Sequence, residues 1–312
     1  MAAKAAVIQR PPALLNREAT IEGALASIDE AAAEGAELLV FPEAFIPGYP
    51  TWAWRLRPGG DGALAGEIHA RFRANAVDLG QDHLLPIQEA AQRHRITIAM
   101  GINELDGAYS GTTIFNTLVI IGPDGSLLNR HRKLMPTNPE RMVWGFGDAS
   151  GLRVVDTPVG RIGGLICWEN YLPLARYALY AQKMDILVAP TWDTGESWTA
   201  TMRHIAKEGG CWVIGTATAM TGADVPADFP ERDTLFTPEE WINVGDAVVA
   251  KPMGALAAGP QAKSQDILYA EIDAEAARRA RRSLDVAGHY SRPDLFSLGV
   301  DRRPLPPVTF TD

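Results

Sequence analysis

Residues 161–193, RIGGLICWENYLPLARYALYAQKMDILVAPTWD, decide the fold, because they contain two short apolar runs on either side of a helical pattern. Ile162–Ile166 and Asp185–Pro190 are too short for helices, and each is typical of a buried strand. The stretch therefore predicts a strand–turn–helix–strand unit of an α/β protein, with Cys167 at the turn.

The turn at Cys167 is a place where α/β proteins position reactive groups. Asn170 is a plausible N-cap, and Pro173 suits the first turn of a helix that runs to about Lys183. The N–H groups at such a helix end could stabilise a thiolate, or an oxyanion formed on a substrate. The alternative is that the cysteine is a small buried hydrophobe.

Composition and charge narrow the classes of function. With 312 residues, 46% hydrophobic and 21% charged, the chain has an ordinary globular composition. The net charge of −9 argues against nucleic acid or an acidic membrane as partner. No segment is apolar for long enough to cross a bilayer, and the N-terminus does not resemble a secretory signal. We therefore expect a cytoplasmic protein.

The cysteines and histidines favour a protein without a metal or another cofactor. Cys167 and Cys211 cannot build a disulfide framework or a zinc cluster. The six histidines show no paired metal-ligand spacing, and His204 is expected at the surface of a helix. Cys211 begins an apolar strand, so we expect its thiol to be packed in the core.

Two more ionisable residues follow predicted strands, as Cys167 does. The buried strand Glu37–Phe41 leads into Glu43, and the strand Ser126–Arg132 leads into Lys133. A long loop after the lysine contains Glu140, and loops of this length inside a compact domain are usually functional. Each of these residues alone also fits a solvated loop charge.

The remaining pattern is that of one domain with a tail. Strands alternate with helices, and some neighbouring strands are joined by tight turns, which indicates an α/β sandwich with a mixed sheet. Residues 1–283 are predicted to form the domain, closed by an arginine-dense helix at Ala274–Ser283 with a solvated face. Residues 284–312 lack periodicity and are predicted to cross the surface or to pack on a partner subunit.

Glu43, Lys133 and Cys167 together provide the groups for nucleophilic catalysis at an electron-poor carbon bonded to nitrogen. The thiolate would attack, the carboxylate would take the thiol proton and later activate water, and the ammonium would stabilise the developing negative charge. No histidine is required.

The contexts of these residues resemble the nitrilase branch of the carbon–nitrogen hydrolase superfamily. FPEAFIPGYP around Glu43, HRKLMPT around Lys133 and CWENYLPLAR from Cys167 are similar to its three catalytic motifs, in the same order. The resemblance implies a four-layer α-β-β-α sandwich and a Glu-Lys-Cys triad. It also implies that Glu140 is the second glutamate, which helps to position the lysine and the substrate.

The same resemblance suggests residues around the triad. The backbone N–H of Trp168 would join Lys133 in holding the oxyanion. Trp168, Tyr49, Trp54 and Trp192 could line the substrate pocket or simply fill the core. Glu169 is expected to be a favourable charge at a helix N-terminus rather than a pocket acid.

The implied activity is hydrolysis of a small-molecule nitrile to the carboxylic acid and ammonia, without a cofactor. An amidase, a carbamoyl hydrolase and a cyanide hydratase would use the same triad, and a filament scaffold without activity is a different class. The resemblance also implies homo-oligomers built from dimers, with spirals as one form. The sequence does not distinguish aliphatic from aromatic nitriles, because single methylenes in a pocket are worth only about 1–3 kcal/mol.

Overall fold

Residues 2–311 are described by the computed structural model and form two β-sheets with flanking helices. The strands are β1 Ala3–Ile8, β2 Leu38–Val40, β3 Thr97–Leu105, β4 Ile114–Ile121, β5 Leu127–Arg132, β6 Val155–Thr157, β7 Gly160–Gly164, β8 Ile186–Thr191, β9 Trp212–Ala217, β10 Ala219–Thr221, β11 Trp241–Ala250, β12 Leu256–Ala262 and β13 Ile267–Ile272. The helices are α1 Arg17–Ala33, α2 Gly62–Asn75, α3 Leu85–His94, α4 Pro173–Tyr180, α5 Glu196–Glu208, α6 Arg232–Leu235 and α7 Ala274–Arg281.

Both sheets are mixed, as the alternation of helical crossovers and tight turns predicts. The first has the strand order β13-β1-β2-β3-β4-β5, and the second has β10-β11-β9-β8-β7-β6 with β12 paired to β11. The pairs β1–β2, β2–β3, β7–β8 and β8–β9 are parallel. Their carboxyl ends therefore point in a common direction within each sheet, and this is the edge where the candidate residues emerge.

Three apolar clusters show that the molecule has four layers. Val40 of the first sheet and Val188 of the second belong to the cluster between the sheets. Ile28 of α1 packs on the outer face of the first sheet, and Leu179 of α4 packs on the outer face of the second. Burial of each such side chain contributes about 1.5–3 kcal/mol. The predicted α-β-β-α sandwich is confirmed.

Glycines allow close approach directly beneath the candidate site. A Cβ on Gly101 of β3 would lie 2.3 Å from the Pro42 carbonyl oxygen, so the loop that carries Glu43 can cross this strand only where a side chain is missing. A Cβ on Gly164, at the end of β7, would lie 2.2 Å from Leu118 Cδ2 of the other sheet. The two sheets therefore meet closely just before Cys167.

The helix after Cys167 differs from the sequence prediction at both ends. Its N-cap is Leu172, not Asn170, because a separate 3₁₀ turn at Cys167–Tyr171 comes first. Asn170 lies buried in that turn and donates to the carbonyls of Leu165 and Cys167 at 3.0 and 2.9 Å. The helix ends at Tyr180, before the left-handed Lys183, whose φ is +61°.

The arginine-dense helix α7 is only partly the solvated face that its composition predicts, because the Arg279 side chain is 63% exposed whereas that of Arg281 is 18% exposed. Arg278 and Arg281 donate to the two carboxylate oxygens of Asp185 at 3.0 and 2.8 Å, and that carboxylate is fully buried. A buried charge must be paired or it is costly. The helix therefore neutralises an aspartate at the start of β8.

Elsewhere the sequence predictions are partly confirmed. Cys211 is buried in the outer core of the second sheet, and the His204 side chain is 66% exposed. The connection between β10 and β11 contains the short helix α6. The segment after Ala250 forms β12, which pairs with β11 through several register shifts. Among residues 2–311, no helix has the length and apolarity that a membrane crossing requires.

Candidate active site

The structure brings Glu43, Lys133 and Glu140 into one buried cluster. Lys133 Nζ donates to Glu43 Oε1 and to Glu140 Oε2, each at 2.7 Å. All three side chains are at most 1% exposed. In an interior of low dielectric, hydrogen-bonded charge pairs of this kind are strong and fix the relative positions of their groups.

The Glu43 carboxylate is held on one oxygen only. Asn116 Nδ2 donates to Oε1 at 2.7 Å, beside the lysine, whereas Oε2 has no hydrogen-bond partner within residues 2–311. Burial raises the pKa of Glu43 to about 7, even though Lys133 opposes the rise. A carboxylate with an open oxygen and a pKa near neutrality is suited to accept a proton.

Lys133 remains an ammonium despite its burial. Desolvation on its own would lower its pKa, but the charges of Glu43, Cys167 and Glu140 outweigh that effect and raise the pKa. The Nζ atom also lies 5.6 Å from the centre of the Trp144 ring, within range of a cation–π contact. The side chain is therefore a fixed positive charge next to the proton acceptor.

Cys167 opens the 3₁₀ turn in the left-handed region, with φ at +52°. Strained backbone of this kind persists only where its surroundings hold it, as they do in many functional turns. The side chain is 4% exposed, and burial raises the pKa of the thiol, with the charge of Glu43 adding to the rise. Burial and the charge of Glu43 therefore outweigh the predicted stabilisation of a thiolate by the turn. The resting group is a thiol, and a base must remove its proton before the sulfur can attack.

The residue after Cys167 provides a backbone donor that the turn does not use. The first hydrogen bond within the turn joins the Glu169 N–H to the Ile166 carbonyl oxygen at 3.1 Å. Trp168 comes before Glu169 in the chain, so its N–H lies in the first part of the turn, where the turn offers no acceptor. Its position suits an oxyanion formed at a carbon attached to Cys167.

Glu140 is positioned by its own loop and by a tyrosine. It closes a capping box with Thr137, whose N–H donates to Oε2 at 2.6 Å. The Tyr49 hydroxyl donates to Oε1 at 2.6 Å. The carboxylate therefore connects the lysine to the aromatic segment that follows Glu43.

Three of the four predicted pocket aromatics form one group. The Tyr49 and Trp192 rings stack with centroids 4.2 Å apart, and Trp54 Nε1 donates to the Tyr49 hydroxyl at 2.9 Å. Trp54 is 48% exposed, so this group extends from the buried cluster to the surface. The Trp168 indole is 47% exposed and donates to Asp193 Oδ2 at 2.9 Å.

Sequence reasoning gave no role to two asparagines of this site. Asn103 and Asn116 face each other across β3 and β4, and both are buried. Asn116 donates to Glu43. The two N–H bonds of the Asn103 amide are shared among three carbonyls of the Ala44–Gly48 segment, and its oxygen accepts from Trp144 Nε1. The signal that could have revealed them is a polar residue inside an otherwise apolar strand.

Within the described part of the chain, no group of three or more histidine, cysteine, aspartate or glutamate side chains is arranged to hold a metal ion.

Comparison with known proteins gives the family. The model for carbon–nitrogen hydrolases matches residues 4–282. An aliphatic nitrilase of Sinorhizobium fredii is 42% identical over 302 residues, which cover 96% of each chain. Nitrilase 2 of Arabidopsis thaliana is 38% identical, with 98% of this chain and 91% of the relative covered.

Solved structures agree with the fold. A Saccharomyces cerevisiae protein described as a member of branch 10 of the nitrilase superfamily superimposes with a TM-score of 0.72 at 20% identity, covering 93% of this chain and 96% of the other. An amidase from Nesterenkonia sp. superimposes with a TM-score of 0.65 at 16% identity, covering 90% and 94%. On the family match and the identity to full-length relatives, the chain belongs to the carbon–nitrogen hydrolase family.

Proposed function

We propose that this protein is a nitrilase, which hydrolyses an organic nitrile to the carboxylic acid and ammonia. The observation that carries the proposal is the buried cluster of Glu43, Lys133 and Glu140 beside Cys167. The 42% identity to an aliphatic nitrilase over nearly the whole of both chains supports nitriles as the substrate class. In this proposal Glu43, Lys133 and Cys167 are the catalytic triad, and Glu140 orients the lysine.

The first half of the reaction forms a covalent thioimidate. The Cys167 thiol gives its proton to the open Oε2 of Glu43, and the sulfur attacks the nitrile carbon. As the carbon–sulfur bond forms, one π bond of the nitrile breaks and its electron pair moves to nitrogen, which takes the proton from Glu43. Lys133 and the Trp168 N–H stabilise the negative charge during attack.

The second half consumes two water molecules. Glu43 removes a proton from the first water as it adds to the thioimidate and passes this proton to the nitrogen. It then moves the hydroxyl proton of the tetrahedral intermediate to the same nitrogen as the carbon–nitrogen bond breaks, which releases ammonia, leaves a thioester and returns Glu43 to its ionised form. A second water, activated in the same way, cleaves the carbon–sulfur bond and releases the carboxylic acid. The proton returns to the sulfur, so the resting thiol is restored.

The buried cluster also bears on the rival functions. An amidase or a cyanide hydratase would use the same groups, so they remain the alternatives within the family. A filament scaffold without activity would gain nothing from three ionised groups in its core, because their desolvation is costly. The cluster therefore favours an enzyme over a scaffold.

Ammonia release with product identification, on a panel of nitriles, their amides and cyanide, tests the proposal. Acid and ammonia from nitriles, with amides inert, is the expected result. Turnover of amides alone would reassign the protein as an amidase, and formamide from cyanide would make it a hydratase. The members of the panel that react define the substrate class.

The pH dependence should report the base. Because the pKa of Glu43 is raised to about 7, the ionised base is lost as the pH falls through that value rather than through the ordinary value near 4.5. We expect kcat/KM to fall about tenfold for each pH unit below the midpoint, as for a single essential base. Initial rates at low substrate concentration measure this limb. A flat profile between about pH 5 and pH 8 would contradict Glu43 as the base.

We also propose that the chain assembles into homo-oligomers and that the tail from Leu284 is an assembly element. The tail exposes large apolar side chains, among them Leu295 at 61%, Phe296 at 77% and Phe310 at 85%. Apolar groups in such numbers favour contact with a partner. The cytoplasmic location stays a prediction.

Removing residues 284–312 should change the particle size measured by light scattering. A full-length variant with Phe296→Ser and Leu295→Ser is the matched control, because it removes apolar surface without shortening the chain. An unchanged size in both variants would contradict the role of the tail.

A further inference from the structure

Two buried ionisable groups near the site take no part in the reaction as derived. His131, on β5, and Glu169, in the turn after Cys167, both have side chains that are 0% exposed. His131 Nε2 lies 3.1 and 3.0 Å from the two carboxylate oxygens of Glu169. Burying a pair of this kind is costly unless its hydrogen bonds are well made.

The Glu169 carboxylate connects the two backbone segments that carry the lysine and the cysteine. Its Oε1 accepts the N–H of Leu134 at 2.7 Å, and Leu134 follows Lys133 directly. Its Oε2 accepts the N–H of Ile166 at 2.7 Å, and Ile166 directly precedes Cys167. Lys133 and Cys167 lie on different sheets, so this side chain spans the junction between them.

The carboxylate is ionised in this position. Burial alone would raise the pKa of Glu169, but His131 and the two amide donors together lower it. Because a carboxylate only accepts, His131 must present a proton on Nε2, and its Nδ1 has no partner within residues 2–311. The histidine therefore serves as the third donor.

The sequence reading of Glu169 as a charge at a helix N-terminus is thus partly wrong. It does cap the 3₁₀ turn through the Ile166 N–H, but it points inward and reaches the other sheet. Asn170 strengthens the same turn by donating to the carbonyl oxygens of Leu165 and Cys167. These contacts hold Cys167 at its positive φ.

We propose that Glu169, oriented by His131, is the positioning group that holds Lys133 and Cys167 in reactive alignment. It touches no reacting atom and acts only through the backbone of its neighbours. This inference rests on the proposed function for its effect on turnover, but the alignment itself can be tested without a nitrile substrate.

The test begins with Glu169→Gln, which keeps the shape of the side chain. Glutamine has one acceptor oxygen, and its amide N–H₂ would face an N–H donor, so either Leu134 or Ile166 loses its partner. We expect kcat to fall about 100-fold, the loss typical of a displacement of about 1 Å at a reacting group, with little change in KM. Asp185→Asn is the matched control, since it removes another buried charge at the far end of β8.

His131→Gln and His131→Phe separate alignment from proton transfer. Glutamine places an N–H near the position of Nε2 but cannot act as an acid or base, whereas phenylalanine removes the donor. We expect the glutamine variant to retain most of the activity and the phenylalanine variant to lose it. Equal loss in both variants would overturn the positioning role.

The alkylation rate of Cys167 by iodoacetamide, followed by peptide mass analysis, keeps this test independent of the proposed function. We expect slower alkylation in Glu169→Gln than in the wild type and in Asp185→Asn. If wild-type protein hydrolyses no nitrile but this difference is found, the proposed function fails and the positioning role stands. An unchanged alkylation rate, or a loss of kcat no larger than in Asp185→Asn, would overturn the inference.

Discussion

Cys167→Ala will abolish nitrile turnover and leave the fold intact. The proposed reaction begins with a bond to this sulfur, so the rate should fall by about 10⁴-fold or more, as it does when an essential nucleophile is removed. The side chain is small and packs at the edge of the inner core, so the free energy of unfolding should change by about 1 kcal/mol. Ammonia release and urea unfolding measure the two effects.

Cys211→Ala is the matched control for this experiment. Its thiol is equally buried but lies in the outer core of the second sheet, away from the charged cluster. We expect full activity from this variant and a similar small loss of stability. Comparable turnover in both alanine variants would remove Cys167 from the mechanism.

Lys133→Met will reduce both activity and stability. Without the ammonium, Glu43 and Glu140 are two neighbouring carboxylates in the core, and loss of one partner from a buried ion pair typically costs about 3–5 kcal/mol. Urea unfolding at about pH 8 should show this loss, whereas Lys207→Met, at an exposed position on α5, should change stability by less than about 0.5 kcal/mol.

The stability loss in Lys133→Met should grow with pH. Lys133 opposes the rise of the Glu43 pKa, so its removal moves the folded-state pKa further above the unfolded value of 4.5. A group with a raised folded-state pKa binds its proton more tightly in the folded protein, and stability falls as the pH rises between the two values. The variant should therefore be closest to wild type at about pH 5.

The double variant Lys133→Met with Glu43→Gln checks this assignment. Neutralising one of the two carboxylates removes half of the uncompensated charge and the repulsion between them, so stability at about pH 8 should partly recover while activity stays lost. If the double variant is as unstable as Lys133→Met, the loss comes from packing rather than from charge.

The sequence was sufficient for the placement of the charged cluster because strand ends are a local signal. The predicted strands at residues 37–41, 126–132 and 162–166 are each followed within two positions by an ionisable residue. The strands before Glu43 and Lys133 belong to the first sheet and the strand before Cys167 belongs to the second, so the three residues meet only because the two sheets pack face to face with these strand ends at the same edge. The family resemblance added the order of layers, which local pattern could not provide.

Contacts between distant side chains could not be predicted in this way. The bond from Asn116 to Glu43 depends on the register between β3 and β4 and spans 73 residues of sequence. The contact of Glu169 with the other sheet was missed because a short turn does not show from sequence which of its side chains point inward. The Cys167 thiol stays protonated because burial and the neighbouring carboxylates raise its pKa. The sequence prediction considered only the N–H groups at the helix end, which favour the thiolate.

The ion pairs between α7 and Asp185 limit how far the chain can be truncated from its C-terminus without loss of the fold. Arg278 and Arg281 lie within five positions of the predicted end of the domain, and they neutralise a carboxylate 93 and 96 positions earlier in the chain. A cut before Arg281 would remove one of the two partners of this buried carboxylate, and a cut before Arg278 would remove both and leave an unmatched charge at the start of the central parallel strands. The shortest C-terminally truncated form that still folds is therefore set by the ion pairs of Arg278 and Arg281 with Asp185, rather than by the end of the last strand.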